Sequence, residues 1–212
     1  MDFEVLFFDL DETLYPAGNG VWEAIAERIN LYLHQRLNME WENIPTLREQ
    51  YYRTYGTTLR GLEVVHQIDA QEYLQFVHDI PLSNYLQPDE RLRNMLAEFP
   101  QPKYIFTNAD RNHAERVLHA LAIADCFEGI IDVNMVSPYC KPQPEAYEKA
   151  LKLFNRFSQK KWVLIDDKIP NLQTASQFGF FTVLVGRNGT VEGLDACIDN
   201  ILDLPDVLNN KG

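Results

Sequence analysis

The apolar positions of the chain fall into short unbroken runs separated by segments with helical spacing. Runs at Phe3–Phe8 (FEVLFF), Lys103–Phe106 (KYIF), Gly129–Val133 (GIIDV), Trp162–Ile165 (WVLI) and Phe181–Val185 (FTVLV) are rich in Val, Ile and Phe. A strand without a polar face is one covered on both sides, which is the condition inside a parallel sheet. Between the later runs lie stretches long enough for helices: Arg111–Leu121, Pro144–Phe157 and Pro170–Phe178. Strand alternating with helix predicts a doubly wound α/β domain.

The stretch from Gly20 to Leu86 breaks this rhythm. Trp22, Ile25, Ile29, Tyr32 and Leu33 recur at helical spacing, and no run in it qualifies as a buried strand. The first strand precedes it and the second follows it, so both its ends must return to one sheet. It is therefore expected to lie over the sheet's carboxyl edge as a small helical cap, with Pro81 and Pro88 marking the return. The expected division is residues 1–15 and 87–212 for the α/β core and 16–86 for the cap. Trp22, Trp41 and Trp162 read as packing residues, and the tail from Asn209 to Gly212 as frayed.

Charge narrows the partners. Nineteen Lys and Arg face 31 Asp and Glu, a net charge of -12 over 212 residues. Such a chain repels phosphate polymers and anionic bilayers at long range, so neither nucleic acid nor a membrane is expected as a partner. A small anionic substrate stays open, because one local cation can reverse the field inside a pocket. Cys126, Cys140 and Cys197 are widely spaced, with no C-x-x-C pair, and read as reduced thiols. The acidic start of the chain is unlike a signal peptide, no apolar run approaches the roughly 18 residues of a membrane span, and a cytoplasmic location is expected. Oligomeric state is not legible in these patterns.

The expected strands end in polar groups of reactive type. Strand one runs into Asp9-Leu10-Asp11-Glu12-Thr13, strand two into Thr107-Asn108 and strand four into Asp166-Asp167. In an open α/β sheet the ligand crevice lies beyond the carboxyl ends of the strands, so these groups converge. Asp9 and Asp11, two apart, leave an extended backbone on the same side, and crowded carboxylates call for a cation or a catalytic task. An acidic turn with Thr13 as helix cap accounts for the run equally well. Asp166 and Asp167 add two more acids, or cap the helix ahead of Pro170. Four carboxylates in one crevice need a balancing cation, and oxygen ligands beside a phosphate favour Mg²⁺. Lys141, between a strand and a helix in YCKPQP, is a candidate site cation; the flanking prolines hold its backbone semi-rigid. Thr107 and Asn108 lie at a strand-to-helix turn suited to an anion, with Asp110 as the expected cap. His34, His66, His78, His113 and His119 show no metal-ligand spacing and read as structural or exposed.

The ordered set DLDET, FTN, KPQP and LIDD resembles the haloacid dehalogenase-like (HAD) superfamily of phosphohydrolases, across essentially the whole chain. The resemblance implies a Rossmann-like core in which Asp9 is the nucleophile and forms an aspartyl-phosphate. Asp11 would protonate the leaving oxygen and then activate water, Thr107 with the Asn108 amide would hold the phosphate, and Lys141 would stabilise its charge. Mg²⁺ would be held by the Asp9 carboxylate, the Asp11 backbone carbonyl and Asp167, with Asp166 close or water-mediated. An aspartate at position 11 is similar to the phosphatases of the superfamily and not to its haloalkanoate dehalogenases, which need no acid for a halide. DLDETLYP, YGTTLRGL and TNADRNHAERVL further resemble the pyrimidine 5'-nucleotidase branch, which makes Tyr15, Thr58 and Arg60 candidates on the leaving-group side. Lys168 and Asn171 depart from the small hydroxyl residue and the acid usual there. The implied substrate is a small phosphorylated metabolite, foremost a pyrimidine nucleoside 5'-monophosphate, with phosphoglycolate or a sugar phosphate as the alternative. A receiver-like phosphoaspartate signalling domain is shorter and has no cap after its first strand. A catalytically idle scaffold would not need every reactive position filled.

Overall fold

The apolar runs become the strands of one sheet. In the computed structural model, which describes residues 3–154 and 162–209, these are β1 (Val5–Phe8), β2 (Lys103–Phe106), β3 (Gly129–Ile131), β4 (Trp162–Asp166) and β5 (Phe181–Val185). A sixth strand, β6 (Ala196–Ile198), completes an all-parallel sheet of order β3-β2-β1-β4-β5-β6. Half-buried at the sheet edge, β6 is an apolar run of only three residues, Ala-Cys-Ile, too short to announce a strand.

Alternation along β1 divides the interior in two. Leu6 and Phe8 face a core built with Leu92 and Leu96 of α5 (Glu90–Ala97), Val117 of α6 (Arg111–Ala120) and Leu204 of α9 (Leu204–Leu208). Val5 and Phe7 face the other, built with Tyr147 of α7 (Pro144–Lys152) and Leu172 of α8 (Ile169–Gln177). The sheet is thus covered on both faces, as its strands without a polar face demand. The predicted helix at Pro144–Phe157 ends at Lys152, and residues 155–157 of that prediction lie outside the described residues, as do 210–212 of the tail.

The chain starts in the middle of the sheet at β1, steps outward to β2 and β3, and then crosses back to β4 on the other side of β1. This reversal opens a crevice at the carboxyl ends of β1 and β4. The backbone N–H of Asp9 still donates to the Ile165 carbonyl at 2.8 Å, which fixes the ends of these two strands side by side.

Between β1 and α5 lie four helices: α1 (Val21–Leu37), α2 (Ile44–Tyr55), α3 (Thr58–His66) and α4 (Ala70–Val77). The predicted stripe on α1, continued by Val21, packs against Tyr73, Leu74 and Val77 of α4, with Tyr32 edge-on to Tyr73 at 4.9 Å. Trp22 is the exception and corrects the expectation: it is 44% exposed, and Trp41 is 46% exposed, stacked on His34, whereas Trp162 is fully buried. The helices approach the α/β core closely at Gly56, where φ is +88° and a Cβ would lie 2.8 Å from the Cys140 sulfur. No helix among the described residues is long and apolar enough to cross a membrane.

Candidate active site

The carboxyl ends of β1, β2 and β4 open into a cavity of about 590 Å³. Asp9, Asp11, Thr107, Asn108, Lys141 and Asp167 all line it, and the inserted helices contribute Trp22, Asn30, Arg48, Tyr52 and Thr58. Asp166 lies at the end of β4, fully buried. Residues separated by more than 150 positions meet because parallel strands end on the same edge.

Lys141 is the pivot. Its side chain is 1% exposed, and its ammonium donates to Asp9 Oδ1 at 2.8 Å and to Asp166 Oδ2 at 2.7 Å. The proline-rich segment around it cannot pair as a strand; instead the Asn108 side chain brackets the Lys141 backbone, donating to its carbonyl and accepting from its N–H, each at 2.8 Å. The Asn108 side chain therefore positions Lys141. Burial works against the ammonium, but Asp166 and Asp9 outweigh it and hold Lys141 above its ordinary value. Burial likewise pushes the Asp9 carboxyl up, to about 8; Lys141 pulls the other way, and repulsion from Asp166 and Asp167 adds to the rise. The Thr13 hydroxyl donates to Asp9 Oδ2 at 3.3 Å, and Thr107 Oγ1 accepts from the Ala109 N–H at 3.0 Å.

Carboxylate oxygens of Asp9, Asp166 and Asp167 lie within 4.8 Å of one another. Asp166 is fully engaged: besides Lys141, it accepts from the Asn171 amide at 3.0 Å on both oxygens and from the Lys168 N–H at 2.8 Å. Asp167 differs, because its Oδ1 is buried with no hydrogen-bond partner among the described residues. Leaving a buried acceptor unmet costs about 1–3 kcal/mol, and a divalent cation among oxygen ligands supplies what is missing. The donor set fits Mg²⁺, with Asp167 as the acid of the pair that has an oxygen to offer. The two departures from the family pattern have structural roles. Lys168 Nζ spans Asp167 and Glu12, at 2.9 Å from the latter, and Asn171 orients Asp166.

Asp11 stands apart from that cluster. Its Oδ1 accepts from the Tyr15 hydroxyl at 2.5 Å and from His113 Nε2 at 2.9 Å. Burial alone would raise its carboxyl, but His113 and Tyr15 outweigh burial and hold it below the usual range. Two expectations are corrected here. Tyr15 is buried with its hydroxyl on Asp11 and does not line the cavity. Arg60 does not line it either: 4% exposed, it donates to the Val133 carbonyl at 2.6 Å, to the Tyr139 carbonyl at 2.8 Å and to Glu63, clamping α3 onto the loop before Lys141. Of the histidines read as structural or exposed, His78 and His113 are both buried and stacked on each other, and His113 also touches Asp11.

The sequence model described as haloacid dehalogenase-like hydrolase matches residues 3–179. The chain belongs to this family. It is 34% identical over 197 residues to Phosphate metabolism protein 8 of Saccharomyces cerevisiae; the match takes in 85% of the chain but 61% of that protein. Among solved structures, the fold is similar to the HAD-hydrolase YfnB of Bacillus subtilis, described as bound to magnesium (TM-score 0.65, 16% identity, 99% and 100% of the two chains covered). It is also similar to an L-2-haloacid dehalogenase of Xanthobacter autotrophicus (TM-score 0.61, 15% identity, 100% of each chain). At these identities the two structures speak for the HAD fold alone.

Within this HAD hydrolase, the inserted helices furnish cavity residues whose place hydrophobic periodicity could not assign. Arg48 Nη1 donates to Asn30 Oδ1 at 2.7 Å and to the Ala26 carbonyl at 3.2 Å, while its Nε is buried with no partner among the described residues. Burial lowers its pKa, and no carboxylate among the described residues pairs with it. Trp22 and Tyr52, 44% and 48% exposed, line the same cavity.

Proposed function

We propose that the chain is a Mg²⁺-dependent phosphomonoester hydrolase that works through an aspartyl-phosphate on Asp9. The observation that carries this reading is the buried Lys141 ammonium joining Asp9 to Asp166 beside the unmet oxygen of Asp167. When held by Asp9, Asp167 and the Asp11 carbonyl, with Asp166 behind, Mg²⁺ offsets the charge of the carboxylates and of the phosphoryl group. Asp9 attacks phosphorus, while Lys141, the Thr107 hydroxyl and the Asn108 N–H hold the phosphoryl oxygens. Asp11, ionised before substrate arrives, takes up a proton as the anionic substrate binds beside it, gives that proton to the leaving oxygen and then takes one from the water that cleaves the acyl phosphate. Carboxylate attack on a phosphate dianion is opposed by charge, so the rate comes from positioning and neutralisation. Two displacements let one acid/base serve both.

The substrate is a small phosphorylated metabolite, foremost a pyrimidine nucleoside 5'-monophosphate. A phosphoryl group needs only the strand-end part of a cavity of about 590 Å³. The rest offers Arg48 as a donor and Trp22 and Tyr52 as aromatic surfaces, a lining suited to a flat ring carrying carbonyl oxygens. Phosphoglycolate and sugar phosphates would leave the aromatic faces unused. The name of the yeast relative is in keeping with phosphate chemistry.

Purified protein with Mg²⁺ is expected to hydrolyse an aryl phosphate, to stop with chelator and to recover on Mg²⁺ addition; turnover that ignores chelator would remove the metal from the reading. A panel of UMP, CMP, purine monophosphates, phosphoglycolate and sugar phosphates, ranked by kcat/KM, tests the substrate. Arg48→Met is expected to raise KM for the preferred nucleotide roughly 10- to 100-fold, the loss of one charged hydrogen bond, with little change for the aryl phosphate. Equal changes for both would take Arg48 out of recognition.

A further inference from the structure

We infer that His113, together with Tyr15, is a positioning residue that fixes one oxygen of Asp11 and so assigns the other, Oδ2, as the atom that moves the proton. The inference rests on the proposed role of Asp11 as acid and base. Both donors fall on Oδ1, at 2.9 Å and 2.5 Å, and Oδ2 has no hydrogen-bond partner among the described residues. A carboxylate rotates in a broad, shallow torsional well. Two donors converging on one of its oxygens from different elements, a turn after β1 and the first turn of α6, fix its plane.

The imidazole that does this is held by its place on α6 and by a second ring. Asp110, the cap of α6, accepts the backbone N–H of His113 on Oδ1 at 2.7 Å and faces the ring Nδ1 of His78 through Oδ2 at 2.9 Å. The two rings stack at 4.2 Å with an interplanar angle of 20°. Arg116, one turn on in the same helix, donates to the carbonyls of His78 and Ile80 just beyond α4, keeping the His78 ring in place. One acid thus caps the helix turn that carries His113 and holds the His78 ring that stacks on it.

His113 is 0% exposed, and its Nδ1 is buried without a partner among the described residues. Placing the proton on Nε2 gives Asp11 its donor and leaves no buried ring N–H unpaired. Packing alone would be served better by an apolar ring, since a buried polar atom without a partner is destabilising. What the imidazole adds is a directed N–H at Asp11, where a misplacement of about 1 Å can lower a rate ~100-fold.

The test uses leaving groups. The kcat/KM of a two-displacement phosphatase reports the steps through departure of the leaving group. A nitrophenolate leaves without a proton, whereas the alkoxide of an alkyl phosphate needs one from Asp11. In His113→Phe, kcat/KM for an alkyl phosphate is expected to fall roughly 10- to 100-fold relative to nitrophenyl phosphate. His113→Gln, which keeps an N–H near the Nε2 position, restores most of the ratio, and Tyr15→Phe shifts it in the same direction as His113→Phe. Nitrophenyl phosphate activity in the same samples reports folding; if His113→Phe does not fold, Tyr15→Phe, which removes one hydroxyl, decides. Equal loss on both substrates, or none, overturns the inference. Asp11→Asn separates the two levels: an unchanged ratio there means that Asp11 is not the acid. A changed ratio there, with none in the clamp variants, removes the clamp alone.

Discussion

Asp9→Asn is expected to lower turnover of every phosphomonoester by roughly 10⁴-fold or more, the scale seen when a nucleophile is removed, while leaving the protein folded. The amide has the shape of the carboxylate and its oxygen can still accept from Lys141, but it does not form an acyl phosphate. Intact-protein mass after rapid quenching with substrate checks the cause: the parent protein gains a phosphoryl group and the variant does not. A variant that kept activity within about 10-fold of the parent, well short of a nucleophile knock-out, would direct the search to another nucleophile. Stability should move the other way. Burial raises the Asp9 carboxyl in the folded chain to about 8, above its value in an unfolded chain. A group shifted in that direction withdraws stability as pH rises through the window between the two values. With chelator present, the Tm of Asp9→Asn relative to the parent should therefore improve from mildly acidic to mildly alkaline pH. A constant difference across that range would mean that Asp9 titrates alike in both states.

What could be read in the sequence follows from how each residue is placed. Asp9, Thr107 and Asp166 stand at or next to the ends of buried strands, and parallel pairing brings strand ends to one edge whatever the details of packing. Their convergence is therefore legible from runs of apolar residues, and so is the doubly wound sheet. Lys141 was marked by its prolines, although the device that holds it, the Asn108 side chain on its backbone, is a tertiary match that spacing does not encode. The inserted helices are harder. Whether Arg60 faces the cavity or the core depends on the rotation of α3, set in part by its close packing on α2. At Gly61 a Cβ would meet the Tyr51 ring at 2.3 Å, so the missing side chain lets the two helices close, and Arg60 beside it clamps residues 133–139. Arg48 raises the same difficulty in reverse: helical periodicity marks the buried stripe and is blind to which polar face meets the ligand, while Trp22 shares the period of the stripe and yet lines the cavity. His113 had a usable signal. Asp110 as cap of a helix that starts just past β2 puts the third residue on in the first turn, at the crevice.

Lys141→Met should damage stability and catalysis together, because the ammonium serves both. Methionine fills much of the same volume beside the Phe106 ring, which lies 5.1 Å from Nζ, but it leaves Asp9 and Asp166 facing each other without their cation. Removing one partner from a buried ion pair costs about 3–5 kcal/mol, and removing a preorganised positive group from a developing negative charge costs about 10²- to 10³-fold in rate. Urea unfolding with chelator present is expected to show the full loss of stability. The same measurement in Mg²⁺ should show a smaller loss, because a divalent ion held by Asp9 and Asp167 would offset the charge of the same carboxylate cluster. Activity in Mg²⁺ should stay low relative to the parent, since the ion does not replace the ammonium that Lys141 supplies to Asp9. If Mg²⁺ leaves the stability gap unchanged, the two cations do not share one charge cluster. Lys141→Arg distinguishes charge from fit: at a site 1% exposed the larger planar guanidinium has no room, so it should recover neither stability nor rate in full. Full recovery by arginine would mean that a positive charge near Asp9 suffices and that the two short bonds to Asp9 and Asp166 do not matter.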